Sequence, residues 1–162
     1  INVYSEPGEG TVFKIYLPAV KEESEKEQVD SSEQHDQYEG KGETILIVED
    51  EEPVLNYLES ILDNYGYNYI SVKSGEQALK VFGKRKDDID LLISDVIMTG
   101  IDGVELADKL KEEKKGLGVI LGSGYSNKKV AKSKIKEKGY KFIQKPYDVI
   151  NLLKRIHEAI KA

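Results

Sequence analysis

The sequence predicts an α/β fold across residues 44–162, a parallel five-stranded sheet with helices on both faces. Three observations carry this expectation. Short apolar segments alternate with amphipathic segments of helical period five times within about 120 residues, the pattern of repeated βα units. Ile45-Leu46-Ile47-Val48 is continuously apolar, as a strand covered on both faces should be. The 162 residues include no Cys and no Trp, which excludes a disulfide scaffold, thiolate metal sites and cysteine chemistry.

Taken in order, Ile45–Val48 is the first strand of this body. A helix follows from about Glu52, with Pro53 in its first turn and Val54, Leu55, Leu58, Ile61 and Leu62 along one face. Gly66 ends it, and Tyr67–Val72 is the second strand. Ser74 caps the next helix, with Gln77 at the capping-box position, and the helix runs to about Phe82. Leu91–Ile93 is the third strand, Val104–Glu113 the third helix and Leu117–Leu121 the fourth strand. Lys128–Lys138 reads as a Lys-rich helix, Tyr140–Gln144 as the fifth strand, and Val149–Ile160 as the last helix.

Upstream the character changes. Ile1–Ser5 and Gly10–Pro18 read as two strands joined by the turn Glu6–Gly10, too little to be stable alone. Residues 21–43 carry three Lys against nine acids, a local charge of −6 equal to that of the whole chain. With one Val and one Tyr there, little apolar surface can offset the entropy of ordering, so a flexible acidic linker is expected. His35 within it reads as solvated. Residues 44–162, with 20 basic and 19 acidic groups, are near neutral, unlike a nucleic-acid-binding surface. There is no signal-peptide pattern and no apolar run of about 20 residues. No nucleic-acid and no membrane contact is expected of these residues.

In parallel sheets of this kind ligands gather beyond the carboxyl ends of the strands. Those ends carry Glu49-Asp50-Glu51-Glu52, Ser94-Asp95, Gly122-Ser123-Gly124 and Gln144-Lys145-Pro146. Crowded carboxylates raise one another's pKa unless a cation intervenes, and an all-oxygen pocket suits Mg²⁺. With the charge partly neutralised, one carboxylate can attack a phosphoryl phosphorus and become an acyl phosphate. Lys145, Ser123 and nearby amides could hold the phosphoryl oxygens. Singly, each feature reads more simply: a helix start favoured by the dipole, a loop acid, a turn serine, a Lys-Pro pair. Their coincidence at successive strand ends favours chemistry.

These residues resemble the receiver domain of two-component response regulators over 44–162. The resemblance is carried by Ile47-Val48-Glu49-Asp50-Glu51, Leu92-Ile93-Ser94-Asp95-Val96-Ile97-Met98, Gly103-Val104-Glu105-Leu106, Ser123-Gly124-Tyr125-Ser126 and Lys145-Pro146. It implies a flavodoxin-like (βα)5 fold with strand order 2-1-3-4-5, and phosphoryl transfer from a kinase phosphohistidine to aspartate. By that resemblance Asp95 is the phosphoacceptor. Asp50, Asp95 and the backbone carbonyl of Ile97 ligate Mg²⁺ directly, and Glu49 acts mainly through water. Lys145 pairs with the phosphoryl oxygens, its bond to Pro146 is cis, Ser123 swings toward the phosphoryl group, and Phe142 is the aromatic switch. Two departures stand out. Thr99 replaces a usual Pro, which should loosen its loop, and Gly122 replaces a larger residue, which should leave the strand end flexible.

Residues 1–20 show a second, shorter resemblance. Ser5-Glu6-Pro7-Gly8-Glu9-Gly10-Thr11-Val12-Phe13 and Ile15–Pro18 look like the last glycine box and terminal strands of a histidine-kinase ATPase domain. That implies the C-terminal part of a hybrid sensor histidine kinase, cytoplasmic even where the parent is membrane-anchored, and by itself without ATP binding or autokinase activity. Three other functions compete. A phosphatase of the haloacid dehalogenase type would need a second Asp two residues after the nucleophile, where Ile97 stands. A flavin site would be repelled by the acids after strand one. A non-phosphorylated scaffold is disfavoured by the intact Asp50, Asp95 and Lys145. The expected partners are a histidine kinase or phosphotransfer domain. Eight Lys against Glu137 alone between residues 126 and 145 read either as a solvated helix face or as a docking surface for an acidic protein. No effector follows Ala162, so output is expected to pass through contacts of the receiver surface, or the domain serves to receive and drain phosphoryl groups.

Overall fold

The computed structural model describes residues 1–16, 37–124, 135, 137–161. They fall in two units divided at Ser31/Ser32. In the first, β1 (Asn2–Glu6) and β2 (Gly10–Lys14) form an antiparallel hairpin. Gly8 and Gly10 adopt positive φ in its turn, as the Pro-Gly-Glu-Gly sequence anticipates. Ser5 and Thr11 face each other in register and their hydroxyls are 2.8 Å apart.

The second unit is the expected α/β body. Its strands are β3 (Thr44–Val48), β4 (Asn68–Val72), β5 (Leu91–Asp95), β6 (Gly118–Ser123) and β7 (Lys141–Gln144), all parallel, in the order β4-β3-β5-β6-β7. Counted within this unit the order is 2-1-3-4-5. Four helices are described: α1 (Glu52–Asn64), α2 (Gly75–Arg85), α3 (Gly103–Glu113) and α4 (Val149–Ile160). Most of the expected Lys128–Lys138 helix lies outside the described residues, as do residues 17–20 and residues 21–36 of the expected linker.

Period-two alternation sorts the strand side chains onto two faces. Ile45, Ile47, Leu91, Ile93, Ile120 and Ile143 pack under α1 and α4 with Leu58, Leu62, Leu153 and Ile156. Leu46, Leu92, Val119 and Leu121 pack under α2 and α3 with Phe82, Leu106 and Leu110. A strand buried on both faces has no polar side, which is why β3 reads as an unbroken apolar run. Three of the four helices begin with side-chain caps: the side chains of Ser74, Asp102 and Asp148 accept from the amides of Gln77, Glu105 and Asn151.

Residues 38–40, from the end of the acidic stretch, are held against this unit. The Gly40 amide donates to the Tyr65 carbonyl at 2.8 Å and the Tyr67 hydroxyl to the Tyr38 carbonyl at 2.8 Å. Tyr38 meets the His157 ring edge to face at 5.9 Å. A Cβ on Gly40 would lie 2.7 Å from the Gly66 carbonyl oxygen, so this close approach needs glycine.

Candidate functional site

The ends of β3, β5, β6 and β7 place Glu49, Asp95, Ser123 and Lys145 along one rim. Lys145 follows β7, with its amide donating to the Ser123 carbonyl at 2.9 Å. Its peptide bond to Pro146 is cis. From there the side chain reaches past β6 to β5 and to the end of β3: Nζ lies 2.6 Å from Glu49 Oε2 and 2.8 Å from Asp95 Oδ2. One ammonium thus bridges two carboxylates, with the Glu49 side chain 1% exposed and those of Lys145 and Asp95 12%.

Burial pushes the Glu49 carboxyl above its ordinary 4.5, and nearby Asp95 adds to this, against the pull of Lys145. Burial also works against the charge of Lys145. Its hydrogen bonds to Asp95 and Glu49 outweigh that and hold its pKa above 10.5.

Oxygens of Glu49, Glu51 and Asp95 all lie within 4.8 Å of one another, near enough to share one cation. Glu51 was not singled out from sequence; Asp50 was, and it is exposed and outside this group. Glu51 sits at the N-cap of α1 without capping it through its side chain, so its longer carboxylate is free to turn toward Asp95, while its amide donates to Glu49 Oε1 at 3.4 Å.

The β5–α3 loop is anchored at several points. Val96 N–H donates to the Gly122 carbonyl at 2.8 Å, Gly103 N–H to the Val96 carbonyl at 3.0 Å, and Ile97 N–H to Asp95 Oδ1 at 3.3 Å. The last bond puts the Ile97 backbone beside the carboxylate. Farther along, Ile101 N–H donates to Glu76 Oε1 at 3.3 Å. This carboxylate of α2 ties the loop just past Thr99, a contact that spacing along the chain could not disclose. Gly103 is the first residue of α3, and any Cβ there would overlap the Asp95 carbonyl.

Gly122, expected to leave its strand end flexible, is buried within β6 and paired with Asp95, and its missing side chain is replaced by Tyr147, whose hydroxyl a Cβ would overlap. Ser123 is also buried. Phe142 is half-buried against the α2/α3 face. Of the eight lysines expected to form a docking surface, Lys138 pairs with Asp108, Lys141 with Glu158 at 3.8 Å, and Lys145 is in the pocket. Their partners come from α3, α4, β5 and the residue after β3, remote in sequence, so the local charge count overstated their freedom. Most of the rest of that segment lies outside the described residues.

The family model of the response regulator receiver domain matches residues 45–157. Sensor kinase CckA of Brucella abortus is 28% identical over 162 residues, covering 97% of this chain and 17% of that protein. Nitrogen assimilation regulatory protein NtrX of Azorhizobium caulinodans is 32% identical over 111 residues, 67% of this chain and 24% of that one. The chain therefore spans only a quarter or less of these relatives. Among solved structures, the receiver domain of hybrid histidine kinase CckA is 33% identical, with TM-score 0.60, 72% of this chain and 98% of that chain covered. A response regulator from Chloroflexus aurantiacus is 30% identical, with TM-score 0.68, and covers 75% of this chain and 100% of its own.

Proposed function

Because the chain belongs to the response regulator receiver domain family, a phosphoacceptor family of two-component signalling, we propose that Asp95 is its phosphoacceptor. The observation that carries this is the Lys145 bridge: a largely enclosed cation holds Asp95 beside two further carboxylates. In the proposed reaction an Asp95 oxygen attacks the phosphorus of a phosphohistidine. The O–P bond forms, the P–N bond breaks with its electron pair staying on nitrogen, and the imidazole, protonated beforehand at its other ring nitrogen, leaves as the neutral ring of its donor. Lys145 exchanges its bond to Asp95 for one to a phosphoryl oxygen, with Ser123 as a second donor and Phe142 following it as the switch.

The donor set fits Mg²⁺, being entirely of oxygen and carrying more negative charge than Lys145 alone balances. Glu49, Glu51, Asp95 and the Ile97 carbonyl would hold it, and Asp50 would join by a turn of its exposed side chain. When bound, the ion neutralises charge between carboxylate and phosphoryl group.

The receiver is proposed to be part of a hybrid sensor histidine kinase, with residues 1–20 the end of its ATPase domain, 21–43 a linker and 44–162 the receiver. The alignment to sensor kinase CckA, which covers 97% of the chain, supports this. A cytoplasmic location follows from the same reading. No helix among the described residues is long and apolar enough to cross a membrane. Its partners would be a histidine kinase or phosphotransfer domain, and the lysines outside the pocket would assist an acidic one.

The test is incubation with Mg²⁺ and acetyl phosphate followed by intact-mass measurement. One phosphate is expected on the wild type and none on Asp95→Asn. An equal yield in both would overturn the assignment.

A further inference from the structure

Tyr147 lies two residues beyond Lys145, packed in the α1/α4 face with only 6% exposure. Its hydroxyl has no hydrogen-bond partner among the described residues, and it is the one buried side-chain polar atom there of which this is true. A buried hydroxyl left unpaired is destabilising, so its retention calls for a reason.

The place it occupies supplies one. The hydroxyl sits where a side chain at Gly122 would be, and any Cβ there would overlap it. Gly122 is the register partner of Asp95. By strand alternation their side-chain positions point to the same sheet face, on adjacent strands. Gly122 thus opens a slot beside the acceptor carboxylate, and Tyr147 fills it with an O–H. The Lys145 ammonium lies 6.0 Å from the centre of the Tyr147 ring. Burial, with the charges of Glu49, Asp95 and Glu51, drives the phenol pKa above 10, so the group stays a protonated donor. The backbone is pinned from both sides. Tyr57 Oη donates to the Tyr147 carbonyl at 3.3 Å, and Asp148 caps α4.

We propose that the Tyr147 hydroxyl, admitted by Gly122, is a further phosphoryl contact, unpaired in the resting pocket and donating to an oxygen of the phosphorylated Asp95 side chain. It rests on the reading of Asp95 as phosphoacceptor. Tyr147 would be a positioning residue that prolongs the phosphorylated state without taking part in bond making. The Gly122–Tyr147 pair would then set the lifetime of the acyl phosphate in this chain.

The test is Tyr147→Phe, which removes one oxygen and keeps the ring. With Mg²⁺ and beryllofluoride as the phosphoryl mimic, affinity should fall about tenfold or more, as for loss of a bond to a charged group. The acyl-phosphate half-life should shorten in the same direction. Mg²⁺ affinity alone and Tm should be unchanged, or Tm raised. Gly122→Ala placed in the Tyr147→Phe background should weaken beryllofluoride less than twofold further. Equal beryllofluoride affinity in wild type and Tyr147→Phe, or an equal loss for Mg²⁺ alone, would overturn the inference. If the wild type itself takes neither beryllofluoride nor phosphate, the functional reading fails instead.

Discussion

Lys145 and Glu49 form the most enclosed ion pair among the described residues, 2.6 Å apart, although 96 positions separate them in the chain. Removing the cation would leave Glu49 buried and uncompensated. Lys145→Met is therefore expected to lower unfolding free energy by about 3 kcal/mol at neutral pH. The carboxyl of Glu49 is raised even in the wild type, and losing Lys145 raises it further. The folded variant then binds a proton more tightly than the unfolded chain, so the deficit should shrink as pH falls toward 5. Urea titrations at two pH values check this. A deficit that does not depend on pH would contradict it.

Gly103→Ala forces a Cβ into the carbonyl of Asp95. The strand end and the start of α3 must then separate, which carries the Asp95 carboxylate away from Lys145. Acetyl phosphate labelling is expected to drop at least tenfold, with Tm lowered. Labelling at the wild-type level would show that the two backbones can part without disturbing the pocket.

Phe82 is among the largest side chains with no exposed surface, at the centre of the α2/α3 face. Phe82→Ala should cost about 3–5 kcal/mol. Chemical denaturation measures this, and a loss below about 1 kcal/mol would mean that the face repacks.

Asp108 accepts from Lys138 and from the Tyr140 hydroxyl. Partial burial opposes its charge, but these hydrogen bonds outweigh it and hold the carboxyl below 3.8. The sign follows: the unfolded chain binds the proton more readily, so this group stabilises the fold above pH 3.8 and loses its contribution as pH falls through the lower folded value. Asp108→Asn should flatten the acid limb of the stability profile below pH 4. An unchanged acid limb would speak against the assignment.

Tyr38→Ala removes the ring that packs on His157. Limited proteolysis should then cut around residues 38–43 several-fold faster, while phosphorylation of Asp95 is unaffected. Unchanged cleavage would mean that the Gly40–Tyr65 backbone bond alone holds the segment.

What the sequence determined by itself was whatever depends on local pattern. Unbroken apolar runs such as Ile45–Val48 announced a doubly covered sheet, side-chain caps at Ser74 announced a helix start, and acids, Ser123 and Lys145 at strand ends announced a pocket. Boundaries moved by one to three residues; β5 runs on to Asp95 and α2 to Arg85, because cross-strand pairing and packing extend elements past the point where apolar periodicity stops. What only the tertiary structure decided was which side chains meet. Glu51 enters the acidic group and Asp50 does not, since the turn at the head of α1 and the reach of each side chain are not written in spacing. Glu76 fastens the β5–α3 loop from 25 residues away. Gly122 looked like a weak point in a strand and proved to be room for Tyr147. A missing side chain leaves a volume, and only packing in three dimensions determines what fills it.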